Sequence, residues 1–163
     1  MTRNHDNTSQ KKASMEEFVA RFQGTCSVKD HFLLVNVPQT CYLEIAKELK
    51  SKGFKRLLTV SVVDWLEEKE FEVYFILYNP EQNTYIKVST RVSRDKPTIP
   101  SLSSLWKNSA MHEREAWELF GITFEGNNML QPLFLEDWKD VPPFRRDFNW
   151  REYHKEVYRI EGA

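Results

Sequence analysis

Two neighbouring apolar runs restrict the fold more than anything else in the chain. In Phe71–Tyr78, Phe71, Val73, Phe75 and Leu77 stand on one side and Tyr74, Ile76 and Tyr78 on the other. A strand with apolar side chains on both sides must be covered on both faces or paired at an interface. In Thr84–Val92 the pattern alternates: Ile86, Val88 and Val92 point one way, and Tyr85, Lys87, Ser89 and Arg91 point the other. That period of two is a half-buried strand. The link Pro80-Glu81-Gln82-Asn83 has turn chemistry, so the two strands form a hairpin within a larger sheet.

The rest of the chain supplies further strands and a covering layer. Leu57–Val63, with Leu58, Val60 and Val62 predicted on one side, leads into the hairpin through Glu67-Glu68-Lys69. Thr25–Val28 and Phe32–Val37 read as a second hairpin turning at Lys29-Asp30-His31, and the continuous run Phe32-Leu33-Leu34-Val35 suits an inner strand. Tyr42, Leu43, Ile45, Ala46 and Leu49 recur at helical spacing and predict a helix from Gln39 to Lys52, stopped by Gly53. A first short helix is predicted with Ser14 as its cap, Glu16 and Glu17 in its first turn, and Phe18, Val19 and Phe22 as its apolar face. The order helix, two strands, helix, three strands is α+β: two layers with a mixed, mainly antiparallel sheet, plus a C-terminal helix and an extended strap. Residues 1–13 are expected to be a disordered leader, 14–93 the α+β core, and 94–163 a linker, helix and interaction strap.

Composition serves to exclude functions. The chain has 163 residues, enough for one domain with a real core. Its net charge of −1, with both signs mixed, offers no basic excess for nucleic acid or an anionic membrane. Cys26 and Cys41 are isolated, without CxxC spacing, so the chain alone does not read as an iron–sulfur or zinc protein, and two reduced thiols are expected. The first residues lack the apolar segment of a signal peptide, and no apolar run approaches membrane-spanning length. If the protein works at a membrane, another chain holds it there. No nucleophile–base pair, phosphate-binding glycine loop or dinucleotide fingerprint is present, so no catalytic, cofactor-binding or metal residue is assigned.

Function is expected in Leu102–Asp147, where charge and aromatic mass crowd together. Ser109 is predicted to cap a helix running to Phe120, with Gly121 as its stop. On a helical projection Ala116, Phe120 and Trp117 share an arc of about 100°, and Glu113 falls inside it. Glu113 is therefore either buried or turned to a partner. A buried carboxylate needs a cation or several donors, and Arg145 and Arg146 are the candidate cations. The two readings of Glu113 are a structural ion pair and an intersubunit contact. Arg114, Glu115 and Glu118 lie outside the arc, and Arg114 and Glu118, four apart, are expected to pair along the surface. His112 and Glu115 lack the second half of a dinuclear metal site. Beyond Gly121, Ile122 and Phe124 form a short extended piece and Gly126-Asn127-Asn128 a turn. Leu130, Leu133, Phe134 and Leu135, interrupted by Pro132, then Trp138 and Val141-Pro142-Pro143-Phe144, form a non-helical apolar strap. Such a strap lies either on the domain's own sheet or in a groove of a larger subunit.

At this stretch the sequence resembles a known family. Ser109-Ala110-Met111-His112-Glu113-Arg114-Glu115-Ala116-Trp117-Glu118-Leu119-Phe120-Gly121-Ile122, with Phe124 and Gly126, is similar to the pattern W-x-E-R-E-x-x-D-L-F-G-I-x-F-x-G of the small hydrophilic 30 kDa subunit of respiratory complex I and its relatives. Pro143-Phe144-Arg145-Arg146-Asp147-Phe148 stands at the family's P-L-R-K-D-F motif. Leu58-Thr59-Val60 with Asp64, the run from Phe71 to Leu77, and Ile99-Pro100-Ser101-Leu102 with Trp106 follow the family's order. The resemblance implies the same helix, two strands, helix, three strands. It also implies a structural role without a cofactor of its own. The partners it implies are the large subunit (of the complex I 49 kDa or hydrogenase type) and the small iron–sulfur subunit. Those partners would carry any nickel–iron site and the iron–sulfur clusters. The motif residues expected at interfaces are Glu113, Arg114, Glu115, Trp117, Phe120, Gly121, Phe124, Pro143, Arg145, Arg146, Asp147 and Phe148.

Gly126-Asn127-Asn128-Met129-Leu130-Gln131-Pro132 departs from the family's G-H-P-D-L-R-R, and the chain stops soon after Phe148. Both features look more like the membrane-bound, energy-converting hydrogenase branch than the NADH:quinone oxidoreductase branch. The expectation is thus a non-catalytic peripheral-arm subunit on the cytoplasmic face of the membrane, in a complex that pumps protons or sodium ions. The competing expectations are the same role in a quinone oxidoreductase, a free-standing enzyme using His112, Glu113 and Glu115, and an adaptor unrelated to electron transfer.

Overall fold

The computed structural model describes residues 13–29 and 32–158. Helix α1 covers positions 13–20, so it begins before the predicted cap at Ser14. The leader expected over 1–13 lies, apart from position 13, outside the described residues, as do Asp30 and His31 of the predicted first turn. Strands β1 (Thr25–Lys29) and β2 (Phe32–Asn36) pair antiparallel. A 3-10 turn, Gln39–Cys41, precedes α2 (Tyr42–Ser51), so the single helix predicted from Gln39 to Lys52 is divided. Pro38 sits in extended backbone just before the turn, and no side chain caps it. Strands β3 (Arg56–Trp65), β4 (Glu70–Asn79) and β5 (Thr84–Ser93) follow as an antiparallel meander.

The five strands lie in the order β1-β2-β5-β4-β3, and β2 runs parallel to β5. That one parallel pair makes the sheet mixed, because α2 carries the chain from β2 to the opposite edge before the meander returns. Phe71, Val73, Phe75 and Leu77 are wholly buried; the Tyr42 ring of α2 meets Phe75 edge-on at 5.2 Å, and Phe71 lies against Phe120. On the other side of β4, Tyr74, Ile76 and Tyr78 are only half covered.

Two strand readings need correction. In β3 the buried apolar residues are Leu57, Val60 and Val62, while Leu58 is 46% exposed. A register shift between Leu57 and Thr59 inserts one residue and changes the phase of the alternation there. In β5 Ser89, predicted outward, is buried, because it stands opposite Asn36 on β2 and its hydroxyl bonds the Asn36 side chain.

The stretch read as a linker contains β6 (Thr98–Pro100), which pairs parallel with β7 (Thr123–Glu125) across α3 (Ser109–Phe120). This small β–α–β unit sits beside β3. Ile99, Leu102, Trp106, Ala116, Ile122 and Phe124 join the same buried cluster as the large sheet. A fourth helix, α4 (Trp150–Tyr158), is absent from the sequence reading. Asn149 accepts the N–H groups of Arg151 and Glu152, which is N-cap chemistry that a local search can find.

Candidate docking site

The segment before α3 is anchored to the start of β3. Trp106 Nε1 donates to the Lys55 carbonyl at 3.2 Å, and Asn108 Nδ2 to the Leu57 carbonyl at 3.0 Å. The helix cap is therefore Asn108 rather than Ser109, and its side chain points at the strand instead of the helix N–H groups. At the other end Gly121 has φ 78° and returns its N–H to Trp117, as predicted. A Cβ there would also lie 2.8 Å from Arg145 Nη2 and 3.0 Å from Pro142 Cγ. Both the left-handed backbone and the passing strap require glycine.

Glu113 is wholly buried, but its partners are not Arg145 or Arg146. Its carboxylate accepts the Ser101 hydroxyl (2.6 Å), the Leu102 N–H (2.7 Å) and the Asn127 amide (2.9 Å). Burial pushes its pKa up, and these three donors pull against that shift. Neither the ion pair nor the direct intersubunit contact describes this residue. It ties α3 to the segment after β6 and to the turn after β7. Asn127 also donates to the Ala110 carbonyl, so one amide serves two groups of the helix.

Arg114 and Glu118 do not pair with each other. Glu118 accepts three backbone N–H groups of the strap: Leu133 (2.8 Å), Phe134 (3.0 Å) and Leu135 (2.8 Å). Arg114 donates to the carbonyls of Gln131 (2.6 Å) and Pro132. A strap without regular structure must have its backbone groups satisfied, and here two charges on one helix answer donors and acceptors in turn.

The cation that answers an acid across the chain is Arg94, in the predicted linker. It meets Asp64 at 2.9 Å and Asp147 at 2.7 Å, and Asp64 also accepts the Arg146 backbone N–H at 2.8 Å. The hydrogen bond from Arg94 is the main reason the Asp147 carboxyl is held below its usual range. Arg145 Nε donates to the Phe120 carbonyl at 2.8 Å, and its guanidinium lies over the Phe71 ring, as does that of Arg94. Burial lowers the Arg145 pKa. Phe71, Phe120 and Phe144 meet in successive edge-on contacts at 6.2 and 5.9 Å.

The remaining motif residues divide clearly. Phe124 and Pro143 are buried, Trp117 and Phe148 half-buried, and Glu115 and the Arg146 side chain exposed. Phe148 joins Trp138, Trp150 and Tyr153 in an aromatic cluster against α4. Large apolar side chains still face outward: Phe134 is 65% exposed, Phe144 56% and Trp150 45%. Sequence reasoning missed Arg94, Ser101 and Asn127 as partners. Asp64 stood in the family pattern, but nothing local pointed to its cation.

Fold and site together define a small α+β domain whose charged motif fastens an aromatic strap along one sheet edge. The chain belongs to the family described as respiratory-chain NADH dehydrogenase, 30 Kd subunit, whose profile matches residues 35–154. It is therefore a complex I-like subunit by family. It is 37% identical over 128 residues to the C/D-type NADH-quinone oxidoreductase protein of Hydrogenobaculum sp. (strain Y04AAS1), covering 77% of this chain and 22% of that one. It is 34% identical over 113 residues to the C-type NADH-quinone oxidoreductase protein of Moorella thermoacetica, covering 69% and 76%. The chain thus spans about a fifth of the C/D-type relatives. Among solved structures it superposes on a chain of the membrane-bound sulfane sulfur reductase, an archaeal respiratory membrane complex, with TM-score 0.83 and 25% identity, covering 96% of this chain and 94% of that one. A trypsin-resistant fragment of Nqo5 shares the fold, with TM-score 0.64 and 24% identity, covering 74% of this chain and 98% of the fragment. Among the described residues no helix is long and apolar enough to cross a membrane.

Proposed function

We propose that this chain is a non-catalytic assembly subunit in the peripheral arm of a complex I-like membrane oxidoreductase of the energy-converting nickel–iron hydrogenase type. It docks on the catalytic large subunit through the outward face of its strap. The observation that carries this is the combination of a strap clamped through its backbone with Phe134 and Phe144 left more than half exposed. Rigid aromatic anchors lose little entropy on binding and are the usual centres of protein interfaces. The C/D-type relatives, of which this chain covers about a fifth, support closeness to a larger partner. The match with a chain of the membrane-bound sulfane sulfur reductase, a respiratory membrane complex, supports placement in a membrane-bound assembly. In this reading the nickel–iron site and the iron–sulfur clusters belong to the large and small iron–sulfur partner subunits. The chain sits peripherally at the cytoplasmic face, and ion pumping belongs to other subunits.

The NADH-quinone relatives favour a second reading, the same role in a quinone oxidoreductase. Purification of the tagged chain from native membranes separates the two. The hydrogenase reading expects a large subunit with paired CxxC motifs and stoichiometric nickel, and the quinone reading a large subunit without either. Turnover by the purified single chain would sink both. Phe134→Asp with Phe144→Asp is expected to lower recovery of the large subunit about tenfold or more while leaving the circular dichroism spectrum unchanged.

A further inference from the structure

The stretch of backbone that its own fold leaves without a strand partner is the middle of the outer edge of β3, between the points where α3 and the strap are fastened. The strand is ten residues long and, among the described residues, pairs only with β4. In an antiparallel pair alternate residues turn their N–H and C=O groups away from the partner, and an uncovered edge of this length is a template for another strand. The ends of β3 are occupied. Asn108 takes the Leu57 carbonyl at one end, and Asp64 is tied to Arg94 and to the Arg146 N–H at the other. Between them, among the described residues, the backbone of positions 59–62 makes one hydrogen bond outside the sheet ladder, where the Val60 carbonyl accepts the Thr59 hydroxyl at 3.3 Å. They face a groove of about 230 Å³ whose far wall is α3, with His112, Glu115 and Leu119, and Phe144 also on the lining.

The chemistry of the groove selects its occupant. Free N–H and C=O groups along an edge can be used by an extended chain but not by a helix, whose own backbone groups are already paired. Leu119 and Phe144 offer apolar contact. Glu115 is exposed, and neither it nor His112 has a hydrogen-bond or ion-pair partner among the described residues. The lone carboxylate favours a cation. A second copy paired β3 to β3 would bring the same lining, which holds no Lys or Arg to set against Glu115. We infer that an extended segment of the large partner subunit adds as a sixth strand on β3 and sets a Lys or Arg side chain against Glu115. This deepens the proposed function and rests on it, because it names how the partner engages.

The test uses the co-expressed complex. Photo-reactive p-benzoylphenylalanine is placed at His112 and, separately, at Ser61, and cross-linked peptides are mapped. Both positions are expected to capture one short segment of the large subunit. Amides at positions 59–62 are expected to exchange more slowly in the complex than in the free chain. Glu115→Arg is expected to lower recovery of the large subunit about tenfold, with recovery restored when the facing basic residue is made acidic. Cross-links to a helix of the large subunit, to a second copy, or to nothing while the complex still assembles would overturn the strand addition and leave the proposed function standing. Failure of the wild-type chain to recover any large subunit would overturn both.

Discussion

The sheet and the strap are held by different means. Strands β4 and β5 satisfy each other through ten residue pairs, and the burial of Phe71, Val73, Phe75 and Leu77 follows from that register. Residues 131–148 contain no helix or strand, and their backbone groups are met by a few distant side chains and carbonyls. Arg114 and Glu118 hold the first part, and Asp64 and the α3 carbonyls hold the last. Stability is spread over many similar contacts in the sheet and concentrated in a few polar groups at the strap. Single substitutions should therefore release the strap while the sheet survives.

The strongest challenge to that contrast is Arg94→Met. It leaves Asp64 buried without its cation and frees Asp147, and it is expected to cost about 3 kcal/mol in urea denaturation. A loss below about 1 kcal/mol, the range of a surface pair, would mean that Arg94 is no fastening point. Glu118→Ala comes next. Three strap N–H groups lose their acceptor, at an expected cost of about 1–3 kcal/mol. Limited proteolysis should then cut near residues 131–137 while the amides of β4 and β5 keep their exchange protection. Equal loss of protection in the sheet would erase the distinction between the regions. Gly121→Ala strains a left-handed position by about 1–2 kcal/mol and pushes on Arg145, so melting should shift down modestly.

The smallest effect separates the regions by pH. Burial holds Glu113 above its ordinary pKa despite its three donors. Its contribution to stability is complete below the ordinary carboxylate pKa and is lost as pH rises through the raised value. Asp147 is held low, chiefly by the Arg94 hydrogen bond, so its contribution is present above the ordinary value and lost as pH falls through the lowered one. Asp147 is nearly half exposed, and solvent screening keeps its share small. Denaturation across about pH 4 to 8 should give a flatter profile for Glu113→Gln than for wild type on the rising-pH side. Identical profiles would show that Glu113 does not titrate differently on folding.

Much of the architecture was legible because it rests on local periodicity. The Phe71–Tyr78 and Thr84–Val92 patterns predict a hairpin, and Gly53 and Gly121 mark helix ends through their positive φ. Glu113 could be assigned to a buried face because helical geometry places it among Ala116, Phe120 and Trp117. Its partners could not. Opposite charge pointed to Arg145 and Arg146, whereas uncharged donors after β6 and β7 satisfy it. Glu118 lay outside the sheet-facing arc and was read as a surface residue. It is buried because the strap crosses it, and a projection of one helix contains no information about what crosses it.

Spacing alone was enough for the helices and strands up to Val92, the inward acid on α3 and the non-helical strap, because these depend on residues a few positions apart. The phase change at Leu58, the short β6–β7 pair and the triad of Arg94, Asp64 and Asp147 emerged only on folding. Asp64 and Asp147 are joined through an arginine between them in sequence, and the distances that join them are set by how the meander, α3 and the strap stack on one edge. Hydrogen bonds between such distant groups depend on relative placement to within an ångström, which local patterns do not encode.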